Sequence, residues 1–259
     1  MREFLDDAEK HRDDGYGRAQ AQEKRELPKR FYKTAGVAPA EGGFAVTLDD
    51  KPSRTPGRVP VVVPVAGIAT AMAEEWAAQG ERIDPMTMPM VRLVNAIVEG
   101  GEAKGPALRT EIVKYAGNDL LLYRADGPAN LVAAQEKLWD AALVKLARHF
   151  EVGFQPTIGI IHQPQPPATL ARIGAALEDE GLWVLAALNV VTTLTGSGLL
   201  AIAIHERLLS ADAAWETAHV DEDFQAGQWG TVAEASERRA KRRTEFDAAV
   251  KLMELMRAD

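Results

Sequence analysis

Between Arg30 and Pro64 the apolar positions alternate with polar ones and the runs are short. Phe31-Tyr32-Lys33-Thr34 starts an extended run, and Glu41-Gly42-Gly43 is a turn. Phe44, Val46 and Leu48 then fall on one face of a second strand. Asp49-Asp50-Lys51-Pro52 turns the chain again, and Val61-Val62-Val63 makes a third short strand closed by Pro64. A sheet this small needs a covering layer. The next segment supplies it: Ile68, Met72, Trp76 and Gln79 recur at helical spacing, with Pro64 before them and Gly80 after. Trp76 on this stripe reads as a core residue joining helix to sheet.

Ile83-Asp84-Pro85 breaks the pattern, and a domain boundary is expected there, with residues 100–105 as a second candidate. Beyond it the period is helical. Helices are predicted near 86–99, 103–117, 128–150, 166–179, 182–194, 198–208, 211–227 and 233–257, interrupted by extended pieces at 120–123 and 154–161. Pro164, Pro166 and Pro167 form a stiff connector, and Ser210 reads as an N-cap. Phe246, Ala249, Val250, Met253 and Met256 make the last helix amphipathic. The pattern predicts an α+β chain in three parts. These are a charged N-terminal arm over 1–26, a small β-rich domain covered by a helix over 27–85, and a larger all-helical domain over 86–259.

Residues 181–204 carry no charged side chain, a length that could span a bilayer. Asn189, Thr192, Thr193, Thr195, Gly196, Ser197 and Gly198 interrupt it, so a buried helical hairpin is the better reading. The net charge of −8, from 30 basic and 38 acidic residues, disfavours a nucleic-acid partner, which needs a basic footprint. The absence of cysteine excludes disulfides, thiolate metal sites and a cysteine nucleophile. Eight acids and six bases crowd residues 1–26, unlike a signal or transit peptide, and a solvated helix or disordered arm is expected there.

No catalytic constellation is apparent, and neither a metal nor a cofactor is expected. His11, His149, His162, His205 and His219 are scattered, without metal-ligand spacing. Thr195-Gly196-Ser197-Gly198 matches no nucleophile elbow or Walker loop. Its glycines could cradle a phosphate, but a close helix crossing is the favoured reading. Asp49/Asp50, Glu74/Glu75 and Asp221/Glu222/Asp223 are carboxylate groups with no sign of divergent environments. The basic run at 238–243 reads as a solvated helix face, since Glu234 to Arg238 and Glu237 to Lys241 are i,i+4 pairs.

The stretch Val220-Asp221-Glu222-Asp223-Phe224-Gln225-Ala226-Gly227-Gln228-Trp229-Gly230 mixes acids, amides and large aromatics. On a helix, Asp221, Gln225 and Trp229 share one stripe, with Val220 and Phe224 on the adjacent stripe toward the core. Trp229 there is either an interface anchor or a half-buried cover for a loop.

Taken together, the chain resembles the assembly chaperones of the F1-ATPase α subunit, found in mitochondria and α-proteobacteria. The matching stretches are Arg30-Phe31-Tyr32-Lys33, Leu48-Asp49 with Thr55-Pro56, Glu75-Trp76-Ala77-Ala78-Gln79 and Ile83-Asp84-Pro85. They continue with Met88-Pro89, Arg92-Leu93-Val94-Asn95, residues 192–197, Val220-Asp221-Glu222 through Gln225 to Trp229-Gly230, and Glu234. Their order from about residue 28 to 240 is more specific than any one of them. Asp50 and Lys51 depart from the glycine and basic residue that the family often has in that turn.

The resemblance implies an N-terminal β-rich domain, a C-terminal helical domain and no catalysis. It implies that the chain binds free α subunit until the β subunit takes its place. By position, Asp221, Glu222, Gln225, Trp229 and Glu234 are the expected partner-binding residues, and Trp76, Asp84, Pro85, Arg92 and Asn95 the structural motif. A monomer in a bacterial cytoplasm is expected, or in the mitochondrial matrix for a eukaryotic chain, without membrane insertion. Two competing readings are a small-molecule-binding enzyme built on Gly196 to Gly198 and nearby carboxylates, and a constitutive subunit of a larger assembly.

Overall fold

The computed structural model describes residues 27–258, so the arm predicted over 1–26 lies outside the described residues. Two compact units divide the described residues: one takes in 27–31 together with Gln79–Asp84, the other Tyr32–Ala78 and 85–258. In the first, Lys29 bridges Arg82 antiparallel, with backbone bonds from Arg30 N–H to the Glu81 carbonyl and from Ile83 N–H to the Pro28 carbonyl, both 2.8 Å. Gln79 Oε1 accepts the Asp84 N–H at 2.7 Å.

The second unit begins with a small antiparallel sheet. β1 (Ala35–Ala40), β3 (Lys51–Pro52) and β4 (Val62–Val63) all pair with β2 (Gly43–Leu48), Val37 opposite Val46 and Phe44 opposite Val63. The β2–β3 turn places Asp49 and Asp50 at φ 47° and 63°, a left-handed pair that suits Gly, Asn or Asp. Asp49 stiffens it by accepting the N–H groups of Lys33 and Thr34 at 2.9 Å each, and those bonds hold its carboxyl below the usual range.

α1 (Ala66–Ala77) covers the sheet, packing on β1, β2 and β4, with Ile68 and Met72 of the helix and Val46 and Val63 of the sheet all buried. The helix stops at Ala77, so Gln79 lies beyond the stripe on which spacing placed it. Trp76, expected in the core, is half-buried at the rim. It stands edge-on to Tyr32 at 5.5 Å, and the Tyr32 hydroxyl donates to the Trp76 carbonyl at 2.6 Å. Glu75 turns inward: its two oxygens accept the N–H groups of Met90 and Val91 at 2.8 Å each. That carboxylate caps α2 (Pro89–Gly100), where orphan donors and the positive helix end favour an anion.

The remainder is helical: α3 (Gly105–Gly117), α4 (Ala129–Gln135), α5 (Ala141–Phe150), α6 (Pro167–Ala176), α7 (Leu182–Thr195), α8 (Gly198–His205), α9 (Ala211–Ala218), α10 (Val220–Trp229) and α11 (Ala233–Arg257). A π turn over Glu136–Asp140 carries α4 into α5. The one departure from an all-helical part is a short parallel pair, β5 (Tyr123–Arg124) with β6 (Thr157–Ile158). The helix predicted over 211–227 is two helices, because His219 leaves helical geometry at φ −111°, ψ 17°. The uncharged run forms α7 and α8, a buried hairpin packed on α3 and α11. No helix among the described residues is long and apolar enough to cross a membrane.

The break in that hairpin is fully engaged. Gly196 ends α7 at φ 70°, and the Ser197 hydroxyl caps α8 through the Leu200 N–H at 2.9 Å. Asp119, closed off from water, accepts the Ser197 hydroxyl at 2.6 Å, the Leu199 N–H at 2.9 Å and the Leu121 N–H at 3.1 Å. Burial outweighs these donors and pushes its carboxyl up to about 7. Gly198 lies against α3 so closely that a Cβ would meet the Ile112 carbonyl oxygen at 2.6 Å and the Ala116 nitrogen at 3.0 Å.

Gly198→Ala is expected to cost about 2 kcal/mol, because backbone cannot yield as a flexible side chain does. Gly227→Ala on α10, whose Cβ would meet nothing within 4 Å, is expected to be neutral or to stabilise by ~0.5 kcal/mol. Urea unfolding of both variants measures the contrast. For Asp119, the unfolded carboxyl ionises near 3.8 and the folded one near 7. Between those values the native state holds more protons, so its stability falls as pH rises from about 4 to about 7. Asp119→Asn lacks that slope, and wild type should lose its advantage over the variant across this window.

Candidate functional site

The acidic and aromatic stretch forms the corner between α9, α10 and α11. Ser210 caps α9, accepting the Ala213 N–H at 3.2 Å as its sequence position implied. At the far end of α9, His219 is buried and held as the Nδ1–H tautomer, because Nδ1 lies 2.7 Å from the Trp215 carbonyl. Its ring packs 4.0 Å from Trp215, which in turn packs 5.0 Å from Phe246 of α11, and the Arg243 guanidinium lies over Trp215 and Phe246. Burial holds the imidazole below its usual pKa. Its Nε2 is buried without a hydrogen-bond partner among the described residues, 3.9 Å from the Glu222 carboxylate.

α10 starts with the three acids in its first turn, where the helix dipole favours them. Each then reaches a different neighbour. Asp221 accepts from Gln135 Nε2 at 2.8 Å, and Gln135 in turn holds the Ala125 N–H. Asp223 takes the Arg239 guanidinium with both oxygens. Glu222 stands 3.5 Å from Arg242, whose guanidinium also donates to the Leu194 carbonyl at the end of α7. Arg243 pairs with Asp212 and Asp247. Arg239, Arg242 and Arg243 are therefore a clamp between helices rather than the solvated face expected of that run.

Gly230 ends α10 at φ 82°, and α11 begins at Ala233 with Glu234 in its first turn. Between the two helices lies an open groove of about 500 Å³ lined by Gln225, Ala226, Trp229, Val232, Ala235 and Arg238, among others. Trp229 is 80% exposed and Val232 68% exposed. The cover-for-a-loop reading of Trp229 does not hold, since its indole faces solvent.

The structure brings Asp221, Glu222, Gln225, Trp229 and Glu234 to one corner, but divides their work. Asp221 and Glu222 bind this chain's own residues, whereas Gln225, Trp229 and Glu234 face outward. The residues of the expected structural motif lie elsewhere. Arg92 ties α2 to α11 through Glu245 at 2.9 Å, Asn95 is half-buried on α2, Asp84 donates its N–H to Gln79, and Pro85 opens a 3₁₀ turn. Sequence reasoning gave no role to Asp119 or to the Glu75 cap, and it missed the exposed isoleucines Ile158, Ile160 and Ile161. An uncharged run of apolar residues beyond a turn is the signal that could have found the last group.

Among the described residues no group of three or more His, Asp or Glu could hold a metal ion. The backbone N–H groups at the Gly196 to Gly198 break that could cradle an anion are consumed: Ser197 N–H by the Thr192 carbonyl, Leu199 N–H by Asp119, Leu200 N–H by the Ser197 hydroxyl. That removes the basis for a phosphate or substrate site there.

Residues 29–147 match the family model described as ATP12 chaperone protein. A crystal structure of a putative chaperone from Agrobacterium tumefaciens is similar over 93% of this chain and 91% of its own, with 40% identity and a TM-score of 0.85. The crystal structure of Atp12 from Paracoccus denitrificans is similar over 88% of this chain and 98% of its own, with 36% identity and a TM-score of 0.81. The mitochondrial protein atp12 of Schizosaccharomyces pombe is 23% identical over 223 residues, 81% of this chain and 76% of that protein.

The corner should soften in acid. His219 has a folded pKa below its unfolded value of 6.5, so its contribution is complete above about 6.5 and is lost as pH falls below it. Protection of the α10 amides against hydrogen exchange is expected to drop between pH 7 and pH 5. His219→Asn, whose amide can replace the Nδ1–H donor, should abolish that pH dependence.

Proposed function

The chain belongs to the ATP12 chaperone family, and we propose on that footing that it holds the free α subunit of F1-ATPase in an assembly-competent state. A lone α subunit exposes apolar surface meant for its neighbours, and such patches aggregate. A protein that covers this surface must also leave it, which a mixed apolar and polar contact allows.

The observation that carries the assignment of the face is Trp229. A tryptophan 80% exposed, on a corner whose acids and arginines already hold one another, has no structural use for its position. Tryptophan in such a setting is a typical binding anchor. Gln225, Val232 and the Glu234 region complete the contact in this reading, while Asp221 and Glu222 position it. The same reading divides the chain near Pro85 into a β-rich part over 27–85 and a helical part that carries the client face. We place the protein in the cytoplasm of a bacterium, or the matrix of a mitochondrion, as a monomer that neither enters membranes nor binds nucleic acid.

Co-expression with the α subunit alone should keep α soluble and yield a co-purifying complex. Trp229→Ala should reduce that recovery by about tenfold or more while circular dichroism melting stays unchanged. Precipitation of α to the same extent with and without this protein would refute the assignment.

A further inference from the structure

We propose that the client segment received at the α10–α11 groove carries a carboxylate beside an apolar side chain, the apolar group lying on Trp229 and Val232 and the carboxylate passing to Arg238. The inference rests on the client-holding reading above and adds the chemistry of what is held.

Three guanidinium groups line this groove, and the structure distinguishes them. Arg239 is bound by both oxygens of Asp223. Arg242 is bound by the Leu194 carbonyl and faces Glu222. Among the described residues Arg238 has only Glu234, four residues back on the same helix, at 3.9 Å, and the two side chains are 69% and 78% exposed. An exposed i,i+4 pair at that distance is weak and exchanges readily. The acids are arranged the other way: Glu222 and Asp223 are already matched to arginines, and Glu234 stands outside the groove lining. Among the described residues the groove thus presents apolar surface and one loosely held cation.

The local cation, and not the net charge, selects the sign of the occupant. The net −8 of the chain opposes an acidic segment elsewhere on its surface, so a carboxylate docks only where Arg238 offsets that field. Once an apolar side chain covers Trp229, water is displaced beside Arg238 and a charge-assisted bond there strengthens. Glu234 then acts as the internal competitor: it occupies Arg238 in the free chain and reclaims it when the client leaves. The exchange leaves Arg238 with a carboxylate partner in either state, and the displaced Glu234 is exposed enough to be hydrated.

The full chain and its variants Arg238→Glu, Arg238→Gln, Glu234→Gln, Lys241→Glu and Trp229→Ala, each co-expressed with the α subunit, test this, with melting curves to confirm folding. Arg238→Glu is expected to lower α recovery about tenfold or more, Arg238→Gln by less, and salt should no longer weaken what binding remains. Lys241→Glu, exposed on the same helix but outside the groove, should match wild type, and Glu234→Gln should retain α at least as well as wild type. Loss of α with Glu234→Gln but not with Arg238→Glu would overturn the proposal in favour of a basic client segment. Wild-type recovery with Arg238→Glu while Trp229→Ala loses α would overturn the carboxylate and leave the client face standing. Unchanged recovery with both Arg238→Glu and Trp229→Ala would overturn the face. Failure of the wild-type chain itself to retain α would overturn the client-holding reading.

Discussion

The Asp119 carboxylate, sealed from water at the start of α8, is the interaction on which the helical part depends. It accepts the Ser197 hydroxyl and the Leu199 N–H while Ser197 caps the same helix. Together they fix where α7 stops and α8 starts. Gly198 then lets α8 lie directly on the backbone of α3. A buried carboxylate is costly unless surrounded by donors, so this node tolerates little freedom. Its consequences reach the surface: α7 is the main support of α11, and its end at Leu194 receives the Arg242 guanidinium. The direction in which α11 leaves the core, and hence the position of the α10–α11 groove, follows from that junction.

The corner itself uses a second strategy. Individual exposed ion pairs contribute little, but here Asp223–Arg239, Glu222–Arg242 and Asp212–Arg243 all join α11 to α9 or α10. Beneath them Trp215, His219 and Phe246 pack ring on ring. The result is a rigid frame around an exposed tryptophan. Holding an anchor in place before binding lowers the entropy cost of the contact. It also leaves the surface with an apolar patch and a weakly held ion pair, a mixture that suits the reversible contact proposed for this face.

Much of the fold was legible because period and punctuation coincide. The alternation through Phe44, Val46 and Leu48, the helical stripe from Ile68 to Met72 and the uncharged hairpin at 181–204 all appear where expected. The errors lie where a tertiary partner overrides local pattern. Helical spacing continued through 211–227, yet burying the His219 ring against Trp215 splits the segment. Gln79 fitted the stripe of α1 but holds the Asp84 N–H beyond the helix end. The basic run read as a solvated face from the Glu234–Arg238 and Glu237–Lys241 spacings, yet Arg239, Arg242 and Arg243 reach acids and a carbonyl on other helices.

For the candidate site, the sequence by itself singled out the stretch Val220 to Gly230 with Glu234, which the fold gathers at one corner, and it offered no cysteine, no spaced histidines and no nucleophile motif. It determined that Trp229 lies on a helix stripe with Gln225. Only the tertiary structure decided which of those residues remain available. Asp221, Glu222 and Asp223 look equally free in the sequence, but Gln135, Arg242 and Arg239 reach them from other helices, 86, 20 and 16 residues away. The physical reason is that a charge is spent or free according to its neighbours in space, and nothing in local periodicity records which distant side chain will stand there.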